Sequence, residues 1–260
     1  MIGVWGVSWI LNYCDRYIIA LSSNSYNVGI YDMAYKIAEN SINMIISAFT
    51  LAIFPILITV WKKQGKEAVE IKTKEVLKYF FILVLPATFG LIIISNKLFG
   101  TIIDSSYAQG SKVIILVSLG MLFNGLNSIL NKIWQLDEKT KNIFYIMLIS
   151  VVINIILNII FIPKFGIVAA AYTTLISYII SVIITYIKVS KNFKIMIDIF
   201  SLLKSIFCTV VMGITLLLIN NHVNSFIGLL SEIILAILIY GIISVLTKNI
   251  DIKTIIRRRK

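Results

Sequence analysis

The chain has 260 residues, 59% of them hydrophobic and 14% charged, with 24 Lys+Arg against 12 Asp+Glu for a formal net charge of +12. Soluble domains run about 45–50% apolar and about 25% charged, so this composition excludes a water-soluble globule and indicates an integral membrane protein. The basic excess lies between the apolar runs and at the C-terminus, which marks membrane topology rather than a nucleic-acid partner; none is expected.

Eight apolar runs follow in chain order, each near the roughly 20 residues that a membrane helix needs. They cover residues 2–22, 37–61 (with an amphipathic lead-in from Val28), 76–95, 113–134, 143–162, 167–187, 199–219 and 226–247. None alternates like a strand. In lipid each run must satisfy its own backbone hydrogen bonds, so all eight are predicted as helices. The expected fold is all-α and polytopic, with about eight transmembrane helices.

The segments between runs alternate in charge. The second loop carries Lys62, Lys63, Lys66, Lys72 and Lys74, the fourth Lys139 and Lys141, the sixth Lys188, Lys191 and Lys194. The tail carries Lys248, Lys253, Arg257, Arg258, Arg259 and Lys260, whereas the odd-numbered loops are poor in Lys and Arg. Positive loops stay in the cytoplasm, so both termini are expected there. The first run begins at Ile2 with neither a basic leader nor a small-residue cleavage site. The sequence therefore reads as starting inside a larger protein.

Pro55 and Pro86 fall inside predicted helices and are expected to kink them. Pro163 is placed in a tight turn over 162–166, which makes the fifth and sixth helices an antiparallel hairpin. The sixth helix opens with Gly166, Ala169, Ala170, Thr173, Thr174 and Ser177, small residues that let two backbones approach, and packing is the preferred role for them. Cys14 and Cys208 have no metal spacing and read as small buried side chains. His222 reads as a solvated loop residue. Trp61 and Trp134, near helix ends, read as interfacial anchors. No nucleotide-binding, metalloprotease or nucleophile motif is present, so neither enzymatic catalysis nor a cofactor is expected.

Chemistry is instead expected at ionisable and amide side chains within the helices. Asp15 and Arg16 interrupt the first, and Lys36 and Glu39 stand near the outer end of the second. A charge at the bilayer centre costs about 2.5–3.5 kcal/mol on insertion scales, so these groups need partners or a wet cavity. An interfacial ion-pair cluster and a functional cavity are both open readings. Asn124, Asn127 and Asn131 form a stripe on the fourth helix with Ser128, and are candidates for lining a polar cavity. Ser150, Asn154 and Asn158 form a second stripe on the fifth, read as interhelical hydrogen bonding. Glu232 stands alone in the eighth helix.

Several segments in order resemble one family: Asp15-Arg16-Tyr17-Ile18-Ile19; Gly29-x-Tyr31-x-x-Ala34-Tyr35-Lys36; Pro55; Gln135 to Lys141; Asn154-x-x-x-Asn158; and Ile162-Pro163-x-x-Gly166-Ile167-x-Ala169-Ala170-Ala171-x-Thr173. Together they resemble the C-terminal half of bacterial O-antigen and capsule repeat-unit flippases, within the multidrug/oligosaccharidyl-lipid/polysaccharide exporter superfamily. The resemblance covers about residues 1–187. It implies that 1–187 form the second of two six-helix lobes, and that 188–260 add two helices and a basic tail. It further implies an undecaprenyl-diphosphate-linked oligosaccharide as cargo in the bacterial cytoplasmic membrane, Arg16 and Lys36 as diphosphate ligands, and Asp15 and Glu39 as orienting or ion-coupling groups. The first lobe of such a flippase is not in this sequence, so a separate N-terminal lobe or a longer parent chain is an expected partner. Lipid II or multidrug export within the superfamily, and a non-transporting membrane scaffold, are the competing readings; paired cations count against organic-cation export.

Overall fold

The computed structural model describes residues 2–219 and 225–249, without the side chains of residues 2–5, 8 and 12. His222 and the basic tail from residue 250 lie outside this range. Seven helices follow one another: α1 (Ile2–Ser22), α2 (Ser25–Thr101), α3 (Gly110–Leu136), α4 (Thr140–Phe165), α5 (Ile167–Ser190), α6 (Ile199–Ile219) and α7 (Phe226–Leu246). Among the described residues six of them, α2 to α7, are long and apolar enough to cross a membrane.

The 77-residue α2 contains two of the predicted runs. Its backbone leaves the helical region at Gly65 (φ 77°, ψ −163°), which divides it into limbs over 25–64 and 66–98. The loop expected after residue 61 is therefore helical apart from one glycine. Lys and Glu are good helix formers, and Lys72 pairs with Glu75 at 2.7 Å one turn away. Gly65 takes a positive φ that a residue with a Cβ resists.

α2 also starts earlier than the apolar pattern indicates. The Asn24 side chain accepts the Asn27 N–H at 3.0 Å and caps it. Asp32 and Lys36 then pair across one turn at 2.7 Å, so charge no longer marks the helix end. Lys36 and Glu39 thus lie well inside the first limb rather than near its terminus.

The non-helical dihedrals within α2 fall at Gly65, Phe99 and Gly100, and the backbone stays helical through Pro55 and Pro86. Pro163 belongs to the last turn of α4, and Gly166 (φ 67°) alone reverses the chain into α5. Pro163 forfeits only one backbone bond in a turn that is already ending. Between α2 and α3, Asp104 accepts the Ser106 N–H at 2.8 Å and caps a single 3-10 turn. That bond holds the Asp104 carboxyl below its ordinary pKa.

α3 lies against α2 and α5, while α4 bridges α5 and α1. Tyr31, Tyr35, Phe80, Ile114 and Met121 are fully buried in the shared core. Gly125 makes this packing possible: a Cβ there would lie 2.8 Å from both Phe80 Cε2 and Ile46 Cδ1. α6 and α7 pack on α2 around Ile82, Cys208, Met212, Leu216, Ala236 and Tyr240. The Tyr240 hydroxyl donates to the Ile82 carbonyl at 2.8 Å. Glu232 does not stand alone, because Lys97 reaches it at 2.5 Å. Nor is Trp134 an interfacial anchor; it is buried among Leu130, Ile133, Val189 and Phe193. The reason is the segment after α5, which folds across this end: Lys194 N–H donates to Glu70 at 2.9 Å, and Phe193 lies 5.8 Å from the ring of Trp61.

Candidate functional site

Asp15 sits at the meeting point of α1, α2, α4 and α5 and is 0% exposed. The Tyr31 hydroxyl donates to its Oδ2 at 2.5 Å and Thr174 to the same oxygen at 2.9 Å. Asn158 donates to Oδ1 at 2.5 Å. A second layer holds these donors. Asn158 also donates to Asn154 Oδ1 at 2.9 Å, Thr173 donates to Asn158 Oδ1, and the Cys14 thiol donates to Asn154 Oδ1 at 3.2 Å. The amide stripe of α4 therefore points inward at Asp15. The small-residue start of α5 supplies two of the hydroxyls, so this seam carries more than packing. Four neutral donors thus surround its two oxygens, the fourth being the Cys14 thiol at 3.5 Å from Oδ1, and a dry site built of neutral groups makes the charged form of a carboxyl costly.

Arg16 faces the other way from its neighbour. Its guanidinium carbon lies 5.0 Å from the ring centre of Tyr13 and 4.9 Å from that of Tyr35, and its Nε donates to Asp32 at 2.5 Å. The other Asp32 oxygen holds Lys36 at 2.7 Å, and the Lys36 side chain remains 55% exposed. Glu39, half-buried one turn further along, lies within electrostatic reach of Arg16, Asp32 and Lys36. The structure thus joins Arg16 and Lys36 through Asp32, sets Glu39 nearby, and keeps Asp15 in a separate buried cluster.

Asn124, Asn127 and Asn131 share a cavity of about 340 Å³ with Lys132 and Gln135 of α3 and with Ser150, Tyr178 and Ser181. Asn127 is engaged within the protein, donating to Ser181 at 3.0 Å and accepting from Thr185 at 2.7 Å. Asn131 Oδ1 is buried without a hydrogen-bond donor among the described residues, the kind of acceptor that water or a polar ligand satisfies. Lys132 stacks on Phe54 at 4.6 Å.

Four residues central to these clusters carry no functional role in the sequence pattern. Asp32 was legible as the acid four residues before Lys36. Tyr31 and Tyr35, one turn apart, were quoted for resemblance alone. Thr174 had no signal beyond its place in a small-residue run, since its partner lies 159 positions away.

The chain belongs to the lipid II flippase MurJ family, whose model matches residues 1–238. It is 28% identical over 184 residues to the probable low-salt glycan biosynthesis flippase Agl15 of Haloferax volcanii, covering 70% of this chain and 38% of that protein. An uncharacterised membrane protein of Methanocaldococcus jannaschii is 29% identical over 184 residues, covering 69% of this chain and 35% of the relative. The fold is shared with a solved lipid II flippase MurJ in an inward closed conformation, with a TM-score of 0.76 at 21% identity over 95% of this chain and 52% of that one. An outward-facing multidrug resistance MATE family transporter aligns with a TM-score of 0.62 at 18% identity, covering 85% of this chain and 53% of that chain. The chain spans between about one third and one half of the length of these relatives.

Proposed function

We propose that this member of the lipid II flippase family is one lobe of a flippase for polyprenyl-diphosphate-linked oligosaccharides, with residues 1–187 as the lobe and 188–260 as an appended helix pair. The observation that carries this reading is the Arg16–Asp32–Lys36 cluster. Two cations there share one carboxylate, an excess of one positive charge, with Lys36 half open, in an apolar bundle where an unused charge is costly. A diphosphate crossing a low-dielectric interior needs such fixed positive charge. Lys36 meets the diphosphate directly, exchanging Asp32 for phosphate oxygens. Arg16 supplies the second positive charge and holds Asp32 in place. Asp15 is the ion-coupling group, and Glu39 orients Lys36. Asn124, Asn127 and Asn131 line a hydrated cavity in the same lobe.

The complementary lobe comes from a separate chain or from a longer parent. The glycan-flippase relative supports a surface-glycan repeat unit as cargo, and the family model supports lipid II. The basic loops support a cytoplasmic position for both termini. An impermeant thiol reagent outside cells should then reach Gln109→Cys and miss Lys66→Cys; the reverse pattern contradicts that orientation.

Export in cells supplied with the complementary lobe tests the function. Lys36→Ala should abolish export at normal membrane abundance, and Arg16→Lys should keep part of it, losing the planar fork that suits phosphate. If Arg16 serves only to neutralise Asp32, Arg16→Ala lowers abundance and Arg16→Ala/Asp32→Asn restores both abundance and export. Normal export by a well-expressed Arg16→Ala/Lys36→Ala variant contradicts the diphosphate site.

A further inference from the structure

α1 and the first limb of α2 share a face whose chemistry does not suit lipid. α1 packs chiefly against α4. On its exposed side Trp9, Tyr13 and Tyr17 recur every four residues and are 55%, 39% and 61% exposed. The rings of Trp9 and Tyr13 lie 5.3 Å apart. On α2, Asn40, Asn43 and Ser47 follow Lys36 at helical spacing and are exposed as well. The two stripes meet at the cation cluster, because Arg16 stacks on Tyr13 and shares Asp32 with Lys36. α1 and this limb run antiparallel, so Trp9 and Ser47 both lie on the same side of that cluster. From Lys36 to Ser47 the face extends about 16 Å, at about 1.5 Å per residue.

Ser47 donates to Asn43 Oδ1 at 3.4 Å, but hydrocarbon offers no partner to the Asn43 amide N–H groups or to the Asn40 carboxamide, and leaving them unpaired there is costly. An apolar helix would bury the rings and strand the amides. A pyranose suits both: its C–H faces lie on aromatic rings, and its hydroxyl edges donate to and accept from Asn side chains. A diphosphate on the same molecule suits the cationic end of the face.

We propose that Trp9 and Tyr13, with Asn40, Asn43 and Ser47, form a glycan-binding wall that holds the sugars joined to a diphosphate at Lys36. The assignment rests on the diphosphate reading above. It makes the sugar, and not only the charged headgroup, a determinant of affinity.

The test uses the purified 260-residue chain in nanodiscs and two probes: undecaprenyl diphosphate, and the same lipid carrying an N-acetylglucosamine disaccharide. The disaccharide lipid should bind about tenfold tighter, or about 1.4 kcal/mol. Trp9→Ala, which keeps the Tyr13 ring against Arg16, should erase most of that difference and leave affinity for the bare lipid unchanged, whereas Trp9→Phe should keep most of it. Asn43→Ala, which leaves both rings intact, should reduce the difference severalfold. Lys36→Ala should weaken both probes. Equal binding of the two probes by the parent chain overturns the wall and fits instead a face covered by the second lobe. So does a full tenfold preference in the ring-deleted variant. Failure of either lipid to bind overturns the diphosphate reading itself, and the wall with it.

Discussion

Glu232 and Asp15 are both buried acids in the helix bundle, 2% and 0% exposed, yet they are stabilised in opposite ways. Glu232 meets the ammonium of Lys97 at 2.5 Å, and the pair cancels its own charge. Asp15 accepts hydrogen bonds from Tyr31, Thr174 and Asn158, all neutral. The first arrangement is a clamp that ties α7 to the end of α2. The second buries a carboxyl at a four-helix junction among neutral donors, so that no partner there cancels a charge on it. Burial alone therefore does not identify a functional acid; the charge state of its partners does.

The sharpest way to break this contrast is to remove one member of each set. Glu232→Ala leaves Lys97 buried and unpaired and should cost about 3–5 kcal/mol of stability. The double variant Lys97→Met/Glu232→Leu should recover most of that loss in a detergent melting assay. No recovery would show that the pair does more than neutralise itself. Packing around the junction is next. Gly125→Leu drives a side chain into Phe80 and Ile46 and should cost about 1–3 kcal/mol, read as a lower melting temperature and folded yield. An unchanged melt would show that α3 can shift away from α2. Thr174→Val deletes one donor to Asp15 and should cost about 0.6 kcal/mol, the average for interhelical hydrogen bonds in membranes, and no more than about 1.7. Any loss as large as that of Glu232→Ala would make Asp15 a structural group too.

Much of the fold was legible because lipid leaves a long apolar run few options. All eight runs recur as helix, and α6 and α7 start at Ile199 and Phe226, where their apolar runs begin. The misplaced boundaries lie where charge was read as loop. The Lys- and Glu-rich stretch after Trp61 continues as helix, and only Gly65 interrupts it. The clusters were legible in part. Asp15, Arg16, Lys36 and the amide stripes stood out because each is expensive in a membrane. Their pairings did not, since Asp15 reaches Asn158 and Thr174 across 143 and 159 positions of sequence. Spacing rules describe neighbours on one helix, and these contacts are set by how α1, α4 and α5 cross. Glu232 was misread for the same reason, its partner lying 135 positions away.

The most direct test of the central claim, that Asp15 is the ion-responsive charge of this lobe, is the melting temperature of the purified chain as cations are varied. Sodium replaces choline at constant ionic strength in one series, and protons are varied in another. A cation that binds the folded protein raises its stability by mass action. The account predicts that the parent chain and Glu232→Gln are stabilised in at least one series, and that Asp15→Asn melts at a temperature independent of both. An Asp15→Asn variant that keeps the full response, or a parent chain that responds to neither ion, would contradict it.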